Sequence, residues 1–168
     1  MKAICVILLC AGIAVAQNPF SDDTKAAWNN VKNYILRAAE KMPEENYAFK
    51  PVPEVRTYGQ ILGHIADSQF SSCARAAGEM RAPAQVEKTK TTKAELTAAL
   101  KEAAEYCDGV YGGMTDAKAA ETLKAMGREV TRLGVLNLNT SHSNEHYGNL
   151  VTYLRIKGIV PPSSEPRK

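Results

Sequence analysis

Thr57-Tyr-Gly-Gln60-Ile-Leu-Gly63-His64-Ile-Ala-Asp67 is the stretch from which the architecture can be read. Its first four residues form a capping box: the Thr hydroxyl accepts from the amide three residues on, and the Gln side chain reaches back to the Thr amide. A helix therefore starts after Thr57 and runs to about Glu79, with Ile61, His64, Ile65, Ser68 and Ser72 along one face. The same device recurs at Thr92-Lys-Ala-Glu95, opening a helix to about Val110 that Gly112-Gly113 ends. Upstream, a helix over about Asp22 to Met42, capped by Ser21 or Asp22, carries Trp28, Val31, Ile35, Ala38 and Ala39 as its apolar stripe and stops before Pro43. Downstream, a helix from about Thr131 to Lys157 closes on Gly158, with Pro161-Pro162 beyond. Pro51-Val-Pro53 reads as an extended connector and residues 80–91 as a polar loop. Residues 114–130 read as one helical turn at 116–122 followed by irregular chain. Four long amphipathic helices in one domain predict an all-α four-helix bundle.

Two cysteines bear on its topology. Cys73 lies sixteen residues after Thr57 and Cys107 fifteen after Thr92. At about 1.5 Å per residue they reach the same height only if the second and third helices run parallel. A Cys73–Cys107 disulfide is thus consistent with an up-down-down-up bundle, with a long crossover between helices two and three. The twelve residues 80–91 can stretch to roughly 40 Å, against roughly 30 Å for a helix.

The chain opens with features of an export signal: Met1-Lys2, an apolar run from Ala3 to Val15, and the small-x-small sequence Ala14-Val-Ala16. The run is too short for a membrane anchor, and Leu9 before Cys10 argues against lipidation. We expect residues 1–16 to be a signal peptide, 17–162 one domain and 163–168 a flexible tail. A secreted or periplasmic location follows, where a disulfide would persist. The net charge of +3 loses only Lys2 with the signal, and no basic stripe with interleaved aromatics is present. Nucleic acid is therefore not an expected partner. A homodimer stays open.

The chain has three histidines: His64, His142 and His146. The last two are spaced i, i+4, so both imidazoles lie on one face of the last helix. If that face meets the second helix, all three converge on one divalent transition metal, Zn²⁺ or Ni²⁺. Gln60, Asp67, Glu145, Asn149 and Tyr153 flank them at helical spacing as candidates to orient ligands or touch a small molecule. His142-Ser-Asn-Glu145-His146 also has the HxxEH form of inverted zinc peptidases. That mechanism needs an acidic ligand from a downstream helix, and the only later glutamate, Glu165, lies in the Pro-rich tail.

The segments Gln60 to Asp67 and His142 to Gly158, with Trp28 and the closing Gly158-Ile-Val-Pro-Pro162, resemble the DinB-like (YfiT/DinB) superfamily. The resemblance spans the mature chain. It implies a four-helix bundle with the crossover described, and His64, His142 and His146 as metal ligands. It does not imply DNA repair. Family activities include metal-dependent thiol transfer, thiol-dependent isomerisation and hydrolysis. Export separates this chain from cytosolic thiols, so the expected function is a secreted metal-dependent hydrolase of an unknown small molecule. The alternatives are a non-catalytic metal- or ligand-binding bundle and a metal-dependent thiol transferase.

Overall fold

The computed structural model describes residues 17–125 and 127–166; the expected signal peptide lies outside them. Helix α1 spans Pro19–Lys41, α2 Tyr58–Ala77, the short α3 Val86–Thr89, α4 Lys93–Gly112, the single turn α5 Asp116–Ala119, and α6 Arg132–Ile156. Strands β1 (Thr122–Ala125) and β2 (Arg128–Thr131) form an antiparallel hairpin. Short 3-10 turns cover Glu44–Asn46 and Pro162–Ser164.

Both capping boxes form. The Thr57 hydroxyl accepts from Gln60 N, the Thr92 hydroxyl accepts from Glu95 N, and each partner side chain returns to the Thr amide. Thr131 caps α6 by accepting from Gly134 N at 3.0 Å. Gly78 and Gly158, at φ +82° and +72°, close α2 and α6 in the left-handed region that glycine tolerates. Helix α1 starts three residues earlier than the sequence suggests. Pro19 fits the first turn, where its missing N–H costs nothing. The amides of Ser21 and Phe20 donate to the Asp116 carboxylate at 2.8 and 3.3 Å. The cap thus comes from α5, far along the chain.

Helices α2 and α4 are parallel neighbours. A Cβ placed on Gly59 would lie 3.0 Å from the Leu96 side chain at one end, and Cys73 and Cys107 pair as a disulfide at the other, with Cα atoms 5.4 Å apart. Helix α6 runs antiparallel to α2: Arg132 donates to the Ala76 carbonyl at 2.6 Å near one end, and the Tyr58 and Tyr153 rings lie 6.2 Å apart near the other. Tyr58 OH donates to the Ala38 carbonyl, so the start of α2 meets the end of α1. Thr24 with Asn137, and Tyr34 stacked on Tyr147, set α1 parallel to α6. The order is up-down-down-up. The core is buried among these four helices, with Trp28, Ile35, Leu62, Ile65, Leu100, Leu136, Leu150 and Leu154 almost inaccessible. Trp28 stacks on Tyr111 at 5.0 Å, and its indole N–H donates to Asp108 at 2.7 Å.

Three segments differ from expectation. The polar loop 80–91 contains α3. Residues 122–131 pair as a hairpin, with Gly127 in its turn at φ +74°. Arg132 holds this hairpin to the end of α2, bonding Glu121 as well as the Ala76 carbonyl. The start of the expected loose tail is fixed: the Ser163 amide and hydroxyl bond the Tyr147 hydroxyl, Arg155 donates to Ser164, and Arg37 and Lys41 both pair with Glu165. Among the described residues, no helix is long and apolar enough to cross a membrane.

The disulfide closes a separation of 34 residues. In the chain-entropy model this stabilises the fold by about 3–4 kcal/mol. Urea unfolding with and without reductant should show a loss of that order. An unchanged midpoint on full reduction would mean that the crosslink constrains nothing.

Candidate metal centre

Helix α2 carries His64 less than two turns after its cap. On α6, His142 and His146 occupy successive turns of the face packed on α2. The antiparallel packing brings the three rings together. Nε2 of His142 lies 3.2 Å from Nε2 of His64 and 3.0 Å from Nε2 of His146. Nitrogens bound at about 2.0–2.1 Å to one ion stand about 3 Å apart, so this spacing suits a shared cation. A neutral imidazole Nε2 can donate to one neighbour only, which leaves one of these two contacts unexplained by hydrogen bonding. The three ligand atoms lie within 4.8 Å of one another and could hold a metal ion. His146 is buried, while His64 and His142 keep partial access.

Burial, then the neighbouring charges of His142 and His64, push the His146 imidazole down to about 4. Burial, then His64, also lowers His142 below its ordinary 6.5. Both rings are therefore neutral at physiological pH, the state a ligand needs. Glu145 opposes these shifts in both rings but lies exposed.

The flanking residues divide. The Asn149 amide sits 3.2 Å from Nδ1 of His146, as helical spacing suggests. Gln60 is occupied as the return arm of the α2 capping box. Tyr153 donates to the Arg56 carbonyl at 2.7 Å and so fixes the connector. Asp67 points to α3, accepting from the Val86 and Glu87 amides at 2.8 and 3.0 Å. These three are committed elsewhere because each meets an unpaired backbone group with a stronger local claim.

Sequence reasoning missed Arg56 and Glu87. Glu87 Oε2 lies 3.2 Å from Nδ1 of His64, and Glu87 Oε1 accepts from Arg56 Nε at 2.8 Å. One signal was present. Gly63 sits inside a helix, where glycine costs about 1 kcal/mol against alanine. A Cβ there would come within 2.6 Å of the Glu87 Cα. Nδ1 of His142 is buried with no hydrogen-bond partner among the described residues.

Such a bundle, with three imidazoles gathered between two antiparallel helices, is a scaffold with a candidate metal centre. The family model of the DinB superfamily matches residues 27–150, and the chain belongs to that superfamily. It is 27% identical over 130 residues to the uncharacterised protein YjoA of Bacillus subtilis, covering 76% of this chain and 84% of that one. The YjoA crystal structure superposes with a TM-score of 0.70 at 23% identity, covering 87% and 99% of the two chains. A DinB-like protein from Bacillus cereus gives 0.72 at 15% identity, covering 84% and 95%. A mycothiol-dependent maleylpyruvate isomerase gives 0.63 at 16% identity, covering 77% of this chain and 60% of that one.

The depressed imidazoles make metal-free protein sensitive to acid. Unfolded histidines take up protons near 6.5, whereas folded His146 resists until about 4. The unfolded state therefore binds more protons between these values, and stability falls as pH drops through that window. The melting temperature of chelator-treated protein should decline between about pH 6.5 and 4, and less steeply in His146→Ala. A flat profile in the native chain would contradict this.

Proposed function

We propose that this protein is a metal-dependent enzyme with one divalent transition ion, Zn²⁺ or Ni²⁺, on His64, His142 and His146, and that it hydrolyses a small molecule. The carrying observation is the convergence of three Nε2 atoms at 3.0–3.2 Å around His142. Three imidazole donors, with no fourth protein ligand among the described residues, are the donor set of an open site rather than a closed structural one. When bound, such an ion supplies Lewis acidity, acidifying a coordinating water and polarising an electrophile.

The chain's own residues supply the rest. The Glu145 side chain makes no hydrogen bond or ion pair among the described residues, and its charge reaches both His142 and His146. It is the carboxylate free to accept a proton beside the centre. A groove of about 680 Å³ shares Arg56 and Glu87 with the site and is lined also by Gln60, Lys88 and Lys90. Its size and mixed apolar and charged lining suit a small molecule. A second reading, thiol-dependent transfer or isomerisation, is supported by the likeness in fold to the mycothiol-dependent isomerase. We also propose that the chain works outside the cytoplasm. The Ala14-Val-Ala16 signal and the disulfide support this, and a native mass beginning at Gln17 without lipid is expected.

Native protein purified without chelator should carry about one metal per chain, and His142→Ala should lose most of it. A hydrolase substrate screen, run with and without chelator and with low-molecular-weight thiols, separates the readings. Chelator-sensitive turnover without thiol supports hydrolysis, whereas turnover only with thiol favours transfer or isomerisation. Glu145→Gln should lower that turnover by about 10²–10⁴-fold at unchanged metal content. Protein that neither carries nor takes up metal would sink the proposal.

A further inference from the structure

We propose that Glu87 is a positioning residue for His64, delivered to it by the crossover between α2 and α4, so that this connection is a working part of the metal centre. The inference rests on reading the three histidines as that centre.

Chemistry at the ring comes first. A metal on Nε2 of His64 requires the proton to sit on Nδ1, and Nδ1–H needs an acceptor. Two side chains reach Nδ1: Glu87 Oε2 at 3.2 Å and Arg56 Nη2 at 3.4 Å. Guanidinium has donors only, so of the two only the Glu87 carboxylate, at ion-pair distance, can accept from Nδ1–H. Arg56 Nε donates to the second carboxylate oxygen at 2.8 Å, which fixes the carboxylate against the ring. Tyr153, bonded to the Arg56 carbonyl, fixes the arginine's backbone in turn.

Delivery is built into α2 itself. Four-residue α3 is too short to be stable alone. Both oxygens of Asp67 accept amides at its start, from Val86 and Glu87. Gly63 removes the side chain that would block it, since a Cβ there would lie 2.6 and 2.8 Å from Glu87 Cα and N. Gln85 enters the turn at φ +55°, a left-handed conformation unfavourable to a residue other than glycine. Gly63, His64 and Asp67 thus act together: one admits the crossover, one binds, one clamps. A surface ion pair between Arg56 and Glu87 would need neither the glycine nor the aspartate clamp.

The test uses the full oxidised chain and two readouts. Zn²⁺ affinity is measured by competition with a chromophoric chelator, and the His64 tautomer by imidazole ¹⁵N shifts in metal-free protein at about pH 8, above the histidine range. In the native chain His64 should be protonated on Nδ1. Glu87→Ala should shift it toward the Nε2–H form and weaken Zn²⁺ binding about 10–100-fold. Glu87→Gln, whose carbonyl oxygen still accepts from Nδ1–H, should keep the tautomer and recover part of the affinity. It carries the test if the alanine variant fails to fold. Native affinity and tautomer in Glu87→Ala would overturn the inference, as would weaker binding with an unchanged tautomer. If the native chain takes up no Zn²⁺, the metal reading fails, and the tautomer alone decides whether Glu87 orients His64.

Discussion

Helices α2 and α4 lie side by side and point the same way, and much of the rest follows from that. A parallel neighbour cannot be reached by a tight turn, so the chain must travel back along α2 before it can start α4. Its path passes over the one turn of α2 where Gly63 leaves room. Backbone that would otherwise be unpaired there meets the Asp67 carboxylate. The return journey ends with an acidic side chain against His64. The antiparallel pair α2 and α6 then brings in the other two imidazoles without any loop.

Much of this was legible because it is local. Thr57 with Gln60 and Thr92 with Glu95 are four-residue devices, and both form as their side chains dictate. The spacing of Cys73 and Cys107 above these caps carries information about direction, and the pair is placed accordingly. His142 and His146 share a face by helical geometry alone. What escaped notice depends on partners far away in the chain. Helix α1 starts at Pro19 because Asp116 satisfies its first amides. The 122–131 hairpin lacks the Asn-Gly type of turn, and Arg132 anchors it from the start of α6. Ser163 to Glu165 look loose by composition, yet Tyr147, Arg37 and Lys41 hold them. Gln60 and Asp67 sit at the right spacing for the site and serve backbone amides instead, a competition the sequence does not display.

The disulfide and the imidazole cluster lie at different levels of α2. The disulfide ties α2 to α4 nine residues beyond His64, about 13 Å along the helix and half a rotation around it. The imidazole cluster ties α2 to α6 nearer the other end. The first constrains the unfolded chain, while the second depends on the charge state of its rings.

The hairpin gives the bundle a practical handle. Its base, at Glu121 and Arg132, sits at the end where α2 finishes and α6 begins. Gly127 has open space where a side chain would be. A reporter peptide or fluorophore site grafted into the hairpin turn would leave α2, the crossover and α6 untouched. An insertion within α3 would instead shift Glu87 away from His64, because Asp67 and Gly63 fix that turn on α2. A protein engineer thus finds two connections of opposite character, one replaceable and the other fixed in register to the helix beneath it.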